Sequence, residues 1–95
     1  MLKTTAPGEA SLSGRIDMAS SAALARPLAE LAARGPLRLE LSGIASADSS
    51  ALALLLQARR AAAAAGHPLT FAGMPADLAT LAGLYNLAPL LSAGE

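Results

Sequence analysis

Residues 37–56 constrain the fold more than any other stretch. Leu37-Arg38-Leu39-Glu40-Leu41 alternates apolar and charged side chains with the period of two that a half-buried strand requires. Shortly after it, Ser46-Ala47-Asp48-Ser49-Ser50-Ala51 leads directly into Leu52-Ala53-Leu54-Leu55-Leu56. An acid and two hydroxyls ahead of strong helix formers mark a helix N-terminus, where side-chain oxygens accept from backbone N–H groups that have no partner within the helix. A strand that hands the chain to a helix buries its apolar face in a layered α/β domain.

The rest of the chain repeats the alternation. Glu9–Ser13 predicts a short strand with Ala10 and Leu12 turned inward, bounded by Gly14. Asp17–Ala33 reads as a first helix that Ser20 or Ser21 can cap, with Leu24, Leu28 and Leu31 at helical spacing. Pro27 sits inside that pattern. A mid-helix proline costs about 3 kcal/mol, which predicts a kink near Ala23 or a helix that starts close to Arg26. Gly35-Pro36 ends the helix, and Ser42-Gly43 is expected to turn the chain out of the second strand before Ile44 returns to the core.

The second helix runs from Ser49 or Ser50 to Ala65, with Asp48 or Ser49 as N-cap and Gly66 as C-cap. Pro68–Gly73 predicts a third strand. Pro75-Ala76-Asp77-Leu78 opens a third helix with an apolar stripe of Leu78, Leu81 and Leu84, ended by Tyr85-Asn86. Leu87, Leu90 and Leu91 read as a closing hydrophobic tail. Residues 1–8 are polar and contain Pro7-Gly8, so they read as a flexible lead-in, which leaves 9–95 as one domain. The resulting order, β-α-β-α-β-α with right-handed crossovers, is a small sheet packed with helices.

A chain of 95 residues has little room for a deep catalytic pocket. Seven basic residues balance seven acidic ones, so no net charge draws the protein to nucleic acid or anionic lipid. The sequence has no cysteine, which excludes disulfides and thiolate metal sites and fits a reducing compartment. Met1-Leu2-Lys3-Thr4-Thr5 lacks the apolar core of a signal peptide, and Ala51–Leu56 is far too short to span a bilayer before Gln57, Arg59 and Arg60 interrupt it. A cytoplasmic protein is expected.

Catalytic chemistry has few candidates. His67 is the single histidine and lies between Gly66 and Pro68, with no histidine, cysteine or carboxylate at ligand spacing, so it reads as a turn residue and not as a metal ligand. A serine nucleophile needs a base within hydrogen-bond reach. His67 stands at the far end of the helix that Ser49 begins, roughly 25 Å away at 1.5 Å per residue. No phosphate-cradling glycine motif is present. No catalytic residue, cofactor or metal is expected. The Asp48-Ser49-Ser50 helix mouth is therefore either a plain cap or a surface that also receives a partner. The same free N–H groups and positive dipole end would tolerate a phosphoryl group on Ser49.

Gly14-Arg15-Ile16-Asp17 after the first strand, and Asp48-Ser49-Ser50-Ala51-Leu52 at the second helix, resemble the STAS domain family (sulfate transporter and anti-sigma-factor antagonist). That family carries a Gly-x-Leu/Ile-Asp loop and an Asp-Ser/Thr-Ser/Gly-Gly-Leu segment in these places. Asp48–Leu56, Leu69-Thr70-Phe71-Ala72-Gly73 and Leu81-Ala82-Gly83-Leu84-Tyr85-Asn86-Leu87 are similar to the STAS subunits of Mla-type phospholipid-transport ABC systems. The resemblance covers Glu9 to Leu91. It implies a non-catalytic STAS-like α/β domain that docks on the cytoplasmic ATPase subunit of such a transporter, at the inner membrane through its permease. There it supports assembly and activity and contributes to outer-membrane lipid asymmetry. It also implies that Ser49 lies in or near the docking surface, and that in an anti-sigma-factor antagonist the matching serine is phosphorylated. Ala51 replaces the family's glycine, which favours docking over a phosphorylation switch.

On the second helix, Leu52, Leu55, Leu56, Arg59 and Ala63 fall on one predicted buried stripe, with Arg59 snorkelling at its edge. Ser50, Ala53, Leu54 and Gln57, with Arg60 or Ala61, fall on the opposite one. Four leucines in five positions cannot all face inward on a one-sided helix, so Leu54 is expected at an interface. The predicted partner-binding surface is Gly14, Arg15, Asp17, Asp48, Ser49, Ser50, Ala53, Leu54 and Gln57, with Arg15, Asp17 and Arg60 as its polar rim. Its Ala/Leu character would favour self-association when no ATPase is bound.

Overall fold

In a computed structural model, which describes residues 1–86, the sheet forms in simple chain order. β1 (Leu2–Ala6) pairs antiparallel with β2 (Glu9–Ile16), which pairs in parallel with β3 (Leu37–Ala47), which pairs in parallel with β4 (Leu69–Ala72). α1 (Met18–Arg34) connects β2 to β3, α2 (Ser49–Ala65) connects β3 to β4, and α3 (Ala76–Leu84) follows β4. Two parallel crossovers that step the same way across a sheet place both helices on one face when each is right-handed. α1 and α2 accordingly pack along each other. Among the described residues no helix is long and apolar enough to cross a membrane.

The expected small mixed α/β sheet packed with helices is therefore the observed one, with an additional strand. Residues 1–8 are not a flexible lead-in. Leu2 lies opposite Leu12 and Thr4 opposite Ala10, and the Pro7-Gly8 turn closes the hairpin with Gly8 at φ 76°. The half-buried Leu2 is the only large apolar side chain in 2–6, so the alternation that would announce a strand is missing from the sequence.

The core follows the strand periodicity. Ala10 and Leu12 of β2, Leu37, Leu39 and Leu41 of β3, and Leu69 and Phe71 of β4 are buried under the helices, while Arg38 on the alternate side of β3 is exposed. Burying one such leucine contributes about 1.5–3 kcal/mol. The helices answer with Leu28 and Ala32 of α1, Leu52, Leu55, Ala58 and Ala62 of α2, and Leu78 and Ala82 of α3.

Two strands run further than expected. β2 passes through Gly14, which takes φ 82° where the register against β3 shifts. β3 does not turn out at Ser42-Gly43. Gly43 pairs with Ser13, and a side chain there would come within 3.1 Å of the Ser13 Cβ, so glycine permits the close approach and Ile44 returns to the core as expected.

The helix bounds also differ. α1 starts at Met18 and is continuous through Pro27, so a start near Arg26 is excluded. Its N-terminal capping and the burial of Leu28 and Ala32 outweigh the proline. Leu84 of α3 is 73% exposed. It lies six residues past the buried Leu78, which turns it away from the stripe. The expected apolar tail at Leu87, Leu90 and Leu91 lies outside the described residues.

On α2, Ala63 is exposed and Leu54 is only 2% exposed, both contrary to expectation. The buried arc is wide because α1 covers the flank that carries Ser50, Leu54 and Ala61 while the sheet covers the base. The exposed side of α2 runs along Ser49, Ala53, Gln57 and Arg60 and ends in Ala63, Ala64 and Ala65.

Candidate docking surface

Parallel pairing of β2 and β3 brings two helix N-termini together. Ile16 is in register with Ala47, so the next residues, Asp17 and Asp48, leave the sheet side by side. The Asp48 amide donates to the Ile16 carbonyl at 3.2 Å and carries the ladder up to the caps. Each aspartate then caps its own helix.

At α1 the cap is reciprocal. The Ser20 amide donates to Asp17 Oδ1 at 3.0 Å, and the Asp17 amide donates to Ser20 Oγ at 2.8 Å. Asp17, and not Ser20 or Ser21, is thus the N-cap, with Ser20 completing a capping box. The hydrogen bonds from the Ser20 amide and hydroxyl hold the Asp17 carboxyl below its ordinary value of 3.8; partial burial opposes this, and the Arg15 charge assists. Arg15 Nε lies 3.4 Å from Asp17 Oδ2, and its own side chain is 78% exposed, so the pair is a surface contact that orients more than it stabilises.

At α2 the Ser50 amide donates to Asp48 Oδ1 at 2.8 Å, and the Ser50 hydroxyl donates to the same oxygen. Asp48 is therefore the N-cap, as one of the two expected residues. The Ser50 Oγ also lies 3.1 Å from Ser21 Oγ of α1, a buried serine. Ser49 is the first residue of α2 and is exposed.

The structure brings Gly14, Arg15, Asp17, Asp48, Ser49 and Ser50 to this end of the molecule, with Ala53 and Gln57 exposed further along α2. Leu54 does not belong to the surface, because it is buried on the α1 flank. The apolar Ala/Leu stripe expected to drive self-association loses its leucine with it. Gly14 and Arg15 belong to the end of β2 and not to a loop. His67 lies between α2 and β4, at the opposite end of α2 from Ser49.

Sequence reasoning missed Met18 and the pairing role of Ser21. Met18, first residue of α1, is 79% exposed beside the Asp17 cap, in the position that Ser49 occupies on α2. The Asp17-x-x-Ser20 spacing was a usable signal, since N-cap to third helical position is the span of a capping box.

The family model described as "Mlab, STAS domain" matches residues 3–92. The chain belongs to the STAS domain family. Among solved structures, this STAS domain is similar to that of the anti-sigma factor antagonist SpoIIAA in its unphosphorylated form. The TM-score is 0.71 at 15% identity, covering 94% of this chain and 82% of that one. At that identity the likeness bears on the fold, which is the STAS fold. A search of the curated proteins returned no match. The match to the MlaB-like model begins at residue 3, in agreement with β1 as part of the domain.

Proposed function

We propose that this STAS domain is a non-catalytic cytoplasmic subunit that docks on the ATPase of an Mla-type phospholipid-transport ABC system. In that role it supports the assembly and activity of the transporter and contributes to outer-membrane lipid asymmetry. The observation that carries the reading is the match of the MlaB-like family model across residues 3–92. The geometry supports a docking surface at the paired helix N-termini. Uncharged side chains, the small Ser49 and Ala53 and the longer Gln57, stand exposed along α2, and Arg15 and Asp17 stand at the rim. A surface of this kind lets a partner approach closely, with the rim charges setting specificity.

Co-purification of the full chain with a Mla-type ATPase tests the reading. The wild type is expected to form a stoichiometric complex. Ala53→Arg is expected to weaken it at least about tenfold, or ~1.4 kcal/mol, by placing a long charged side chain in the contact. Recovery of no ATPase by the wild type rejects the proposal.

One observation favours a second reading, an anti-sigma-factor antagonist controlled by phosphorylation of Ser49. The Ser50 hydroxyl is engaged with Asp48 and Ser21, whereas Ser49 is exposed at the positive end of α2. Incubation with an anti-sigma-factor kinase and ATP would then add one phosphate, at Ser49. An unchanged mass rejects this reading.

A further inference from the structure

We infer that the Ser21–Ser50 hydrogen bond sets the two halves of the docking surface in a single register, which makes Ser21 a positioning residue for docking. The inference rests on the docking reading above. Ser50 has one hydroxyl proton and gives it to Asp48 Oδ1. Its Oγ lone pair is left to accept the Ser21 proton across 3.1 Å. The chain of donors therefore runs from Ser21 through Ser50 to Asp48, in one direction. At its other end, the Ser21 amide donates to the carbonyl of Asp17 at 2.8 Å, inside the turn that Asp17 caps. Through side chains, the Asp17 turn of α1 and the Asp48 turn of α2 are thus joined.

The remainder of the helix pair gives this bond its importance. Further along, the buried Leu54 packs on the α1 flank, and beyond it a shallow open groove separates Arg26, Ala29, Glu30 and Ala33 of α1 from Ala61, Ala64 and Ala65 of α2. Apolar packing of this kind is non-directional, whereas a hydrogen bond fixes both distance and angle. Arg15, Asp17 and Met18 lie at the end of β2 and the start of α1, whereas Ser49, Ala53 and Gln57 lie on α2. A partner that touches both groups reads their relative position. Ser21 is buried and acts on that position without touching the partner.

The experiment uses the full chain with Ser21→Ala, Ser50→Ala, Ser50→Thr and the double alanine variant. Without any partner, amide chemical shifts are expected to move across the helix pair. Ser21→Ala shifts the Ser49–Leu52 amides, and Ser50→Ala shifts the Asp17–Ser21 amides. Shifts confined to the substituted helix overturn the inference. With the Mla-type ATPase, each alanine variant is expected to weaken binding about fivefold, the factor one net hydrogen bond carries. The double variant is expected to weaken it no further than Ser50→Ala, which already lacks the bond to Ser21 as well as the hydroxyl bond to Asp48, and Ser50→Thr, which keeps the hydroxyl, to bind as the wild type. Single-variant losses that multiply in the double variant, or Ser21→Ala binding within about twofold of wild type, overturn it. If the wild type binds no ATPase, the docking reading fails, and the amide shifts alone decide whether the two caps are coupled.

Discussion

The guanidinium of Arg59 lies 5.3 Å from the centre of the Phe71 ring, which ties the second half of α2 to the edge strand β4. Phe71 is buried and Arg59 half-buried, so the cation sits on the ring with part of its water removed. Replacing Arg59 with alanine is expected to destabilise the domain by about 1–2 kcal/mol, through the lost ring contact and the lost packing of the arginine stem. Arg59→Lys should recover part of that. Urea denaturation of the three proteins measures the difference, and coincident curves would show the contact to be idle.

Leu54 carries the sharpest contrast between expectation and structure. Counting leucines on α2 correctly showed that a one-sided helix could not bury all of them. The helix is not one-sided, because α1 lies on its flank. Leu54→Ala is therefore expected to cost about 2–5 kcal/mol in unfolding free energy, as for other buried leucines. An exposed interface leucine would have cost stability little and partner affinity much. A Leu54→Ala variant with wild-type stability would contradict the placement.

Much of the architecture was legible because it is written in local chemistry. The alternation of Leu37, Leu39 and Leu41, the cap at Asp48 and the left-handed Gly66 after Ala65 each specify an element within a few residues. What escaped notice is written between distant residues. β1 exists because Lys3 and Thr4 pair with Ser11 and Ala10, and nothing within 2–6 announces that partner. Ser21 looked like one of two equivalent serines until α2 was placed against it. The exposure of Ala53 and Gln57 was legible from helical spacing and the place of Ser49 from the helix mouth, whereas Met18 required knowing that α1 begins one residue after Asp17.

Two glycines separate backbone need from habit. Gly73 has φ 67°, and a Cβ there would fall 3.0 Å from the Ser42 Cβ and 3.2 Å from its amide nitrogen, besides striking Glu40. Glu40 can swing aside, but the β3 backbone cannot. Gly73→Ala is expected to cost more than about 1 kcal/mol, and Glu40→Ala should not rescue it. Gly83 lies in α3 with open space around it, so Gly83→Ala should instead raise stability by about 0.4–1 kcal/mol. Thermal melts of the two variants should move in opposite directions.

The Asp17 cap predicts an acid-sensitive term in stability. Its carboxyl is held below the ordinary 3.8 in the folded protein, first by the hydrogen bonds from Ser20. The folded state therefore binds the proton less readily than the unfolded chain does. The stability this contributes is fully present above the unfolded value and is lost as pH falls through the folded one. Asp17→Asn keeps a cap oxygen but removes the titration. The Tm of the wild type should exceed that of Asp17→Asn near neutral pH, and the gap should narrow as pH drops below about 4. Added salt should alter the gap only slightly, because the Arg15 pair is exposed and contributes less than the Ser20 hydrogen bonds. A gap that stays constant down to about pH 2 would mean that the carboxylate charge contributes nothing to the cap.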